Sequence, residues 1–152
     1  MRILTTTLLA LAAISCVDGT DPSGLRMALT VDKTQVTRAD SVRLTLTLTN
    51  LSPRARTVLA PESYGMCFHG FRVFDAAERE VSLAAYFCLA IVGPGPIELA
   101  PGASVTATDF WKPADSSLDG AAIPAGTYRL VGQYHAEQRV ILSAPQEIAL
   151  LP

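Results

Sequence analysis

Few residues in this 152-residue chain are equipped for chemistry. There are three cysteines, Cys16, Cys67 and Cys88, and two histidines, His69 and His135. The triplet Cys67-Phe68-His69 sets a thiol beside an imidazole and raises the question of a metal. A structural zinc needs four ligands, usually delivered by paired CxxC or HxxxH spacings, and neither spacing occurs. A Cys–His nucleophile pair needs a free thiol. There is no GxSxG elbow for a serine nucleophile. The run Gly93-Pro94-Gly95-Pro96 puts prolines where a phosphate cradle needs amide donors. Glu78 and Glu80 flank Arg79, which is the pattern of a solvated turn. These residues lead us to expect no enzyme, no cofactor and no metal.

Charge excludes a further class. The formal net charge is −2 and no long basic block is present, so phosphate neutralisation over a nucleic acid is not expected. The first fifteen residues differ from the rest. Arg2 is the only charge before Asp18, and Ile3–Ile14 is apolar apart from three threonines. That run of 12 residues falls short of the roughly 20 that span a bilayer as a helix. A positive start, a short apolar stretch and small residues at its end describe a secretory signal peptide.

The junction Leu11-Ala12-Ala13-Ile14-Ser15-Cys16 resembles the bacterial lipoprotein box, in which small or apolar residues precede an obligatory cysteine. The resemblance implies that the Cys16 thiol receives a diacylglyceryl group and that cleavage makes Cys16 the new N-terminus. Two or more acyl chains anchor stably where one is marginal, at about 0.8 kcal/mol per buried methylene. Ordinary cleavage after Ser15 or Gly19, releasing a soluble protein, is the competing reading. The following Val-Asp-Gly-Thr-Asp-Pro-Ser-Gly has almost no apolar content and reads as a flexible tether. The expected layout is a signal peptide over 1–15, a tether over 16–24 and one domain over 25–152. The expected address is the bacterial cell envelope, with the membrane a partner through the lipid anchor. In a Gram-negative cell Val17, which is not acidic, points to the outer membrane.

From residue 25 the chain reads as short strands between turns. Leu25, Met27, Leu29 and Val31 alternate with other residues. Val42, Leu44, Leu46 and Leu48 alternate with Arg43, Thr45, Thr47 and Thr49, the period of a half-buried strand. Further strand patterns lie in RTVLA, FRVFD, REVSL, ASVTATDFW, TYRLVGQYH, RVILS and EIALL. The segments APESYGM, VGPGP and KPADSSLDGAAIPAG read as the long loops. Ala76–Ile91 reads as strand and turn, with a helix as the alternative its alanines and apolar spacing allow. Closely spaced strands without amphipathic helices predict an all-β, immunoglobulin-like antiparallel sandwich of about 7–9 strands.

The succession VRLTLTLTNLSPRARTV, FRVFDAAEREV, LAPGASVTATDFW and IPAGTYRLVGQY resembles the BsuPI-like domain, the fold associated with an intracellular proteinase inhibitor of Bacillus. The likeness runs from about Leu29 to Leu150. It rests on the Pro101-Gly102 turn, Trp111 at a strand end, and Pro124–Tyr128, whose tyrosine is suited to cap a sandwich corner through its hydroxyl. These features form a fold and carry no catalytic chemistry. The resemblance implies a protein that binds and inhibits serine proteinases, although one fold hosts many functions.

With Cys16 assigned to the anchor, Cys67 and Cys88 remain. Outside the cytoplasm such a pair most often forms a disulfide. A hairpin turning at Ala77–Glu78 sets Phe74 opposite Val81, Arg72 opposite Leu83 and Cys67 opposite Cys88, or one residue out of step if a bulge intervenes. Two buried free thiols are the alternative. Most of the aromatic residues are expected in the core. Tyr64 and Met66, in a Pro/Gly loop beside Cys67, are the candidates for an exposed binding loop. The functional expectation is therefore a tethered protein-binding module whose partner is a serine proteinase or an envelope protein. Proteinase inhibition and a structural role in an envelope assembly are the two versions.

Overall fold

The structure is a computed structural model, and it describes residues 23–59, 70–83, 95–136 and 139–152. It is all-β, with several antiparallel sheets. Among the described residues, nine strands have four residues or more: β1 (Leu25–Val31), β3 (Val42–Asn50), β4 (Arg56–Leu59), β5 (Phe71–Phe74), β7 (Pro96–Leu99), β8 (Ser104–Trp111), β11 (Gly126–Ala136), β12 (Arg139–Leu142) and β13 (Gln146–Leu150). Four shorter ones are β2 (Gln35–Val36), β6 (Ser82–Leu83), β9 (Ser116–Leu118) and β10 (Ala121–Ala122).

The first layer is β1-β3-β8. Its rows run Leu29 to Leu46 to Ala107 and Thr30 to Thr45 to Thr108. The apolar set Leu25, Met27, Leu29, Val42, Leu44, Leu46 and Leu48 is buried, as the alternation predicts. Thr106 and Thr108 of β8 face solvent, and Thr45, Thr47 and Thr49 of β3 are half-buried. The second layer runs β12-β11-β13-β2, with β5 on the other flank of β11. Its inner residues Phe71, Val73, Tyr128, Leu130, Ile148 and Leu150 meet those of the first layer in one core. Two apolar faces of period two thus bury each other, which is what a sandwich requires.

Local chemistry explains the joints. Ala100–Ala103 is a tight turn closed by Ala103 N–H donating to Ala100 O at 3.0 Å. Pro101 pre-sets its second position, and Gly102 takes φ +74° at its third, as a type II turn demands. Tyr128 is buried, and its hydroxyl donates to Pro124 O at 2.7 Å, forming the corner that Pro124–Tyr128 foretells. Trp111 is fully buried, with its ring 5.9 Å from that of Tyr128 and its Nε1–H donating to Ser116 Oγ at 3.0 Å.

Three expectations are corrected. The segment expected as the loop KPADSSLDGAAIPAG carries a 3-10 turn (Pro113–Asp115), β9 and β10, and it buries Ile123 completely. β2 pairs with β13 in parallel, Gln35 beside Ala149 and Val36 beside Leu150. The chain passes from the first layer at β1 to the second at β2, where it runs alongside β13 in the same direction. Third, Phe74 pairs with Glu80 rather than Val81, and Val81 N–H donates to Val73 O at 2.8 Å. The loop holds three residues between Asp75 and Arg79, not two. Glu78 adopts φ +60°, and Asp75 Oδ1 accepts from the amides of Ala77 and Arg79, each at 2.9 Å. This is the three-residue hairpin loop with a left-handed last residue. Of the ambiguous stretch, Ala76–Leu83 is turn and strand.

Candidate functional site

At the end of the sandwich where β1 begins, β3 and β8 give way to a separate two-stranded ribbon, β4-β7. Four register pairs hold it together, from Arg56 with Leu99 to Leu59 with Pro96. A buried side chain ropes the ribbon to the end of β3. Asn50 closes β3 and is fully buried. Its Nδ2 donates to Leu99 O and to Arg54 O, each at 2.8 Å. Its Oδ1 accepts from Ser52 N–H at 2.9 Å and from Ser52 Oγ at 2.7 Å. Its backbone pairs with the turn before β8, accepting from Gly102 N–H at 2.8 Å and donating to Ala103 O at 3.0 Å. A buried amide is tolerated only when its bonds are made, and here all four side-chain positions are used.

On the other side of β4 stands the far half of β11 and the start of β12, paired from Gln133 with Leu142 to Ala136 with Arg139. Tyr134 bridges the gap: it is buried, and its hydroxyl accepts from Leu59 N–H at 2.9 Å. Between the two walls runs an open groove of about 1090 Å³. Leu25, Val58, Leu59 and Pro96 supply apolar surface, Tyr134 a phenol, and Arg56, His135 and Arg139 the basic groups. Among the described residues that line it there is no aspartate or glutamate. Arg56 is held by its Nε–H donating to Ser52 Oγ at 3.3 Å, so the network around Asn50 also fixes one of the cations.

Chemically, such a groove binds. It offers apolar contact, hydrogen-bond donors and positive charge. Among the described residues no three His, Cys, Asp or Glu side chains gather into a metal-binding set. The sequence-expected residues Cys16, Tyr64, Met66, Cys67 and Cys88 lie outside the described residues. In their place the structure brings together residues that sequence reasoning passed over. Arg56 and Leu59 share one strand and Tyr134 and Arg139 one hairpin, but 75 positions separate Leu59 from Tyr134, and no local pattern joins the two pairs. The one available signal was the pair of short strand patterns RTVLA and RVILS, each opening on arginine.

The aromatic residues divide as their strand parity dictates. Phe71, Trp111, Tyr128 and Tyr134 are buried, while Phe110 is 52% exposed. Phe74 lies on the outer face of the second layer beneath two guanidinium groups, those of Arg72 at 4.8 Å and Arg129 at 5.3 Å from its ring centre. Arg72 makes a two-pronged pair with Glu80, at 3.0 and 2.6 Å, and Arg129 pairs with Glu78. The first pair closes the β5 hairpin on itself, and the second ties that hairpin to β11. They are half-exposed, so each contributes little, on the order of 0–1 kcal/mol.

No family model matches the chain, and no curated protein does. Solved structures with a related chain path include a β-glucosidase from Erythrobacter marinus, at 12% identity and TM-score 0.47, covering 84% of this chain and 15% of that one. The alkylpurine DNA glycosylase AlkC of Pseudomonas fluorescens, bound to DNA containing an abasic site analog, matches at 10% identity and TM-score 0.48. There the coverage is 89% of this chain and 32% of the glycosylase. The yjhA protein of Bacillus subtilis matches at 14% identity and TM-score 0.39, covering 85% and 93% of the two chains. This chain therefore spans less than a third of the two enzymes. At such identities and TM-scores these likenesses say nothing of what it does.

Proposed function

We propose that this chain is a lipid-anchored protein of the bacterial cell envelope whose β-sandwich acts by binding another protein. The observation that carries the reading is the open groove between β4 and the β11-β12 end, with apolar walls and two arginines. Mixed apolar and arginine-rich surface is the material of protein-recognition sites. The anchoring half rests on the sequence of residues 1–24, where a short apolar run leads to Cys16 and a polar tether. The BsuPI-like resemblance narrows the binding to inhibition of a serine proteinase. A structural role in an envelope assembly is the alternative, and the same groove serves it.

A photo-reactive residue replacing Leu59, a 43% exposed residue on the groove wall, tests the binding in intact cells. A discrete cross-linked adduct is expected, and its absence under conditions where a control lipoprotein cross-links would refute the binding reading. Titrating the purified chain against a panel of serine proteinases separates the two versions. Stoichiometric loss of activity marks an inhibitor, and no effect across the panel favours assembly. Cys16→Ala is expected to leave the membrane fraction, and retention there would overturn the anchor. Alkylation before and after reduction, read by mass, decides between a Cys67–Cys88 bridge and free thiols.

A further inference from the structure

The outer face of the β1-β3-β8 sheet is built of hydroxyls. Residues directly opposite each other in an antiparallel pair share a face. Thr30, Thr45 and Thr108 therefore form one row across the three strands, and Thr47 with Thr106 and Thr49 with Ser104 form the next two. Thr30, Ser104, Thr106 and Thr108 are exposed, and the three threonines of β3 are half-buried between their neighbours. Thr49 Oγ1 and Ser104 Oγ lie 2.9 Å apart, in hydrogen-bond contact. Each hydroxyl both donates and accepts.

Beside these rows stands Phe110, 52% exposed and opposite Arg43. Lys112 follows Trp111 in an extended conformation, so strand parity puts it on the side of Phe110. An exposed ring thus has two cations next to it. Arg26 occupies the far end of the face, opposite Thr49, and from Thr49 to Arg43 along β3 is about 20 Å. Arg26, Arg43 and Lys112 are exposed, and among the described residues none of them enters an ion pair. β1, β3 and β8 contain one carboxylate, Asp109, at an inward position opposite Leu44. Asp32, just past β1, has its Oδ1 tied to the backbone N–H of Arg43 at 2.9 Å.

This composition selects the class of ligand. A nucleic acid calls for about 6–10 phosphate contacts, more than three cations supply. A lipid surface calls for a broad apolar face, and a protein partner for a cluster of desolvated apolar anchors; here Phe110 is the one large apolar residue. A sugar polymer bearing acid groups meets every feature. Its hydroxyls trade hydrogen bonds with the threonines, the C–H face of a sugar ring lies against Phe110, and its acid groups reach Arg43 and Lys112 at one end and Arg26 at the other. Cations about 20 Å apart suit an extended chain rather than a single sugar.

We infer that the outer face of the β1-β3-β8 sheet binds an acidic polysaccharide laid along β3. The face is separate from the groove, so the inference stands or falls independently of the protein-binding reading.

The test is affinity electrophoresis of the purified full chain in native gels that hold polygalacturonate. Gels with dextran control for sugar without charge, and gels with polyglutamate for charge without sugar. Retardation by polygalacturonate alone is expected, with a dissociation constant that rises at least about fivefold in R43A/K112A and, separately, in Phe110→Ala. Phe110→Trp keeps an aromatic platform and is expected to bind at least as well as the parent. Unchanged urea midpoints would show that these surface substitutions leave the fold intact, and if Phe110→Ala unfolds, the Phe110→Trp and R43A/K112A results decide. No retardation by polygalacturonate, equal retardation by dextran or polyglutamate, or indifference to the substitutions would overturn the inference.

Discussion

Asn50→Ala should cost far more than an ordinary surface change, although Asn50 sits at a strand end beside a loop. The substitution deletes four side-chain hydrogen bonds in a site with no solvent access. The remaining partners differ in what they lose. The Ser52 hydroxyl, freed from Asn50, can turn its single proton to Arg54 O at 2.7 Å, and Leu99 keeps its pairing with Arg56. Ser52 N–H, in a buried residue, loses its partner. One stranded amide costs about 1–3 kcal/mol, and each bond merely lost adds about 0.5–1.5 kcal/mol. Allowing for the partners that keep a second bond, the total is about 3 kcal/mol. On a urea slope of about 1.5 kcal/mol/M, the midpoint falls by roughly 2 M. Equilibrium urea unfolding followed by Trp111 fluorescence measures it. Trp111 is fully buried, so its emission reports the core. Asn50→Asp sharpens the test, because its second carboxylate oxygen would face the carbonyls of Leu99 and Arg54. That variant should be at least as unstable as the alanine at neutral pH. Its deficit should shrink on acidification, since a protonated carboxyl donates one of the two lost bonds. A midpoint within about 0.3 M of the parent for Asn50→Ala would refute the reasoning.

Three other outcomes follow from single contacts. Tyr128→Phe removes the bond to Pro124 O while keeping the ring, and should cost about 1 kcal/mol, read as a fall of a few degrees in calorimetry; an unchanged Tm would deny the corner its role. Gly132→Ala would place a Cβ 2.8 Å from Leu46 Cδ2 and 3.2 Å from Ser143 Oγ, an overpacking of about 1–3 kcal/mol visible as a lower urea midpoint. The Asp75 carboxyl is held below its ordinary value of 3.8, chiefly by the Arg79 amide, with the Arg79 guanidinium and the Ala77 amide adding to it. A lowered folded-state value stabilises above the unfolded value and is lost as pH falls through the folded one. Asp75→Asn should accordingly flatten the loss of stability as pH falls through and below the ordinary value of 3.8, and an identical acid limb would contradict that.

Much of the fold was legible in the sequence because strand period and turn chemistry are local. Strict alternation over Val42–Thr49 marked the buried leucines, and Pro101-Gly102 marked its own turn. The tyrosine of Pro-Ala-Gly-Thr-Tyr marked a corner four residues away. Where local signals were even-handed, tertiary structure decided. The register of the β5 hairpin turned on whether Glu78 would accept a left-handed backbone. It does so here because Asp75 gathers the amides around it and Arg129 receives its carboxylate. Ile123 looked like a stray apolar residue in a loop, yet it is fully buried in the core.

By itself the sequence determined the strand content, the apolar faces and the tight turns, because each depends on residues within a few positions of one another. Only the tertiary structure decided which distant strands paired and which side chains met. The groove joins Arg56 to Arg139, and the tie between β3 and β7 runs through Asn50 and Leu99, separated by 49 positions. Contacts at such distances depend on how two sheets stack and on where a ribbon leaves them, and no periodicity in the chain encodes either.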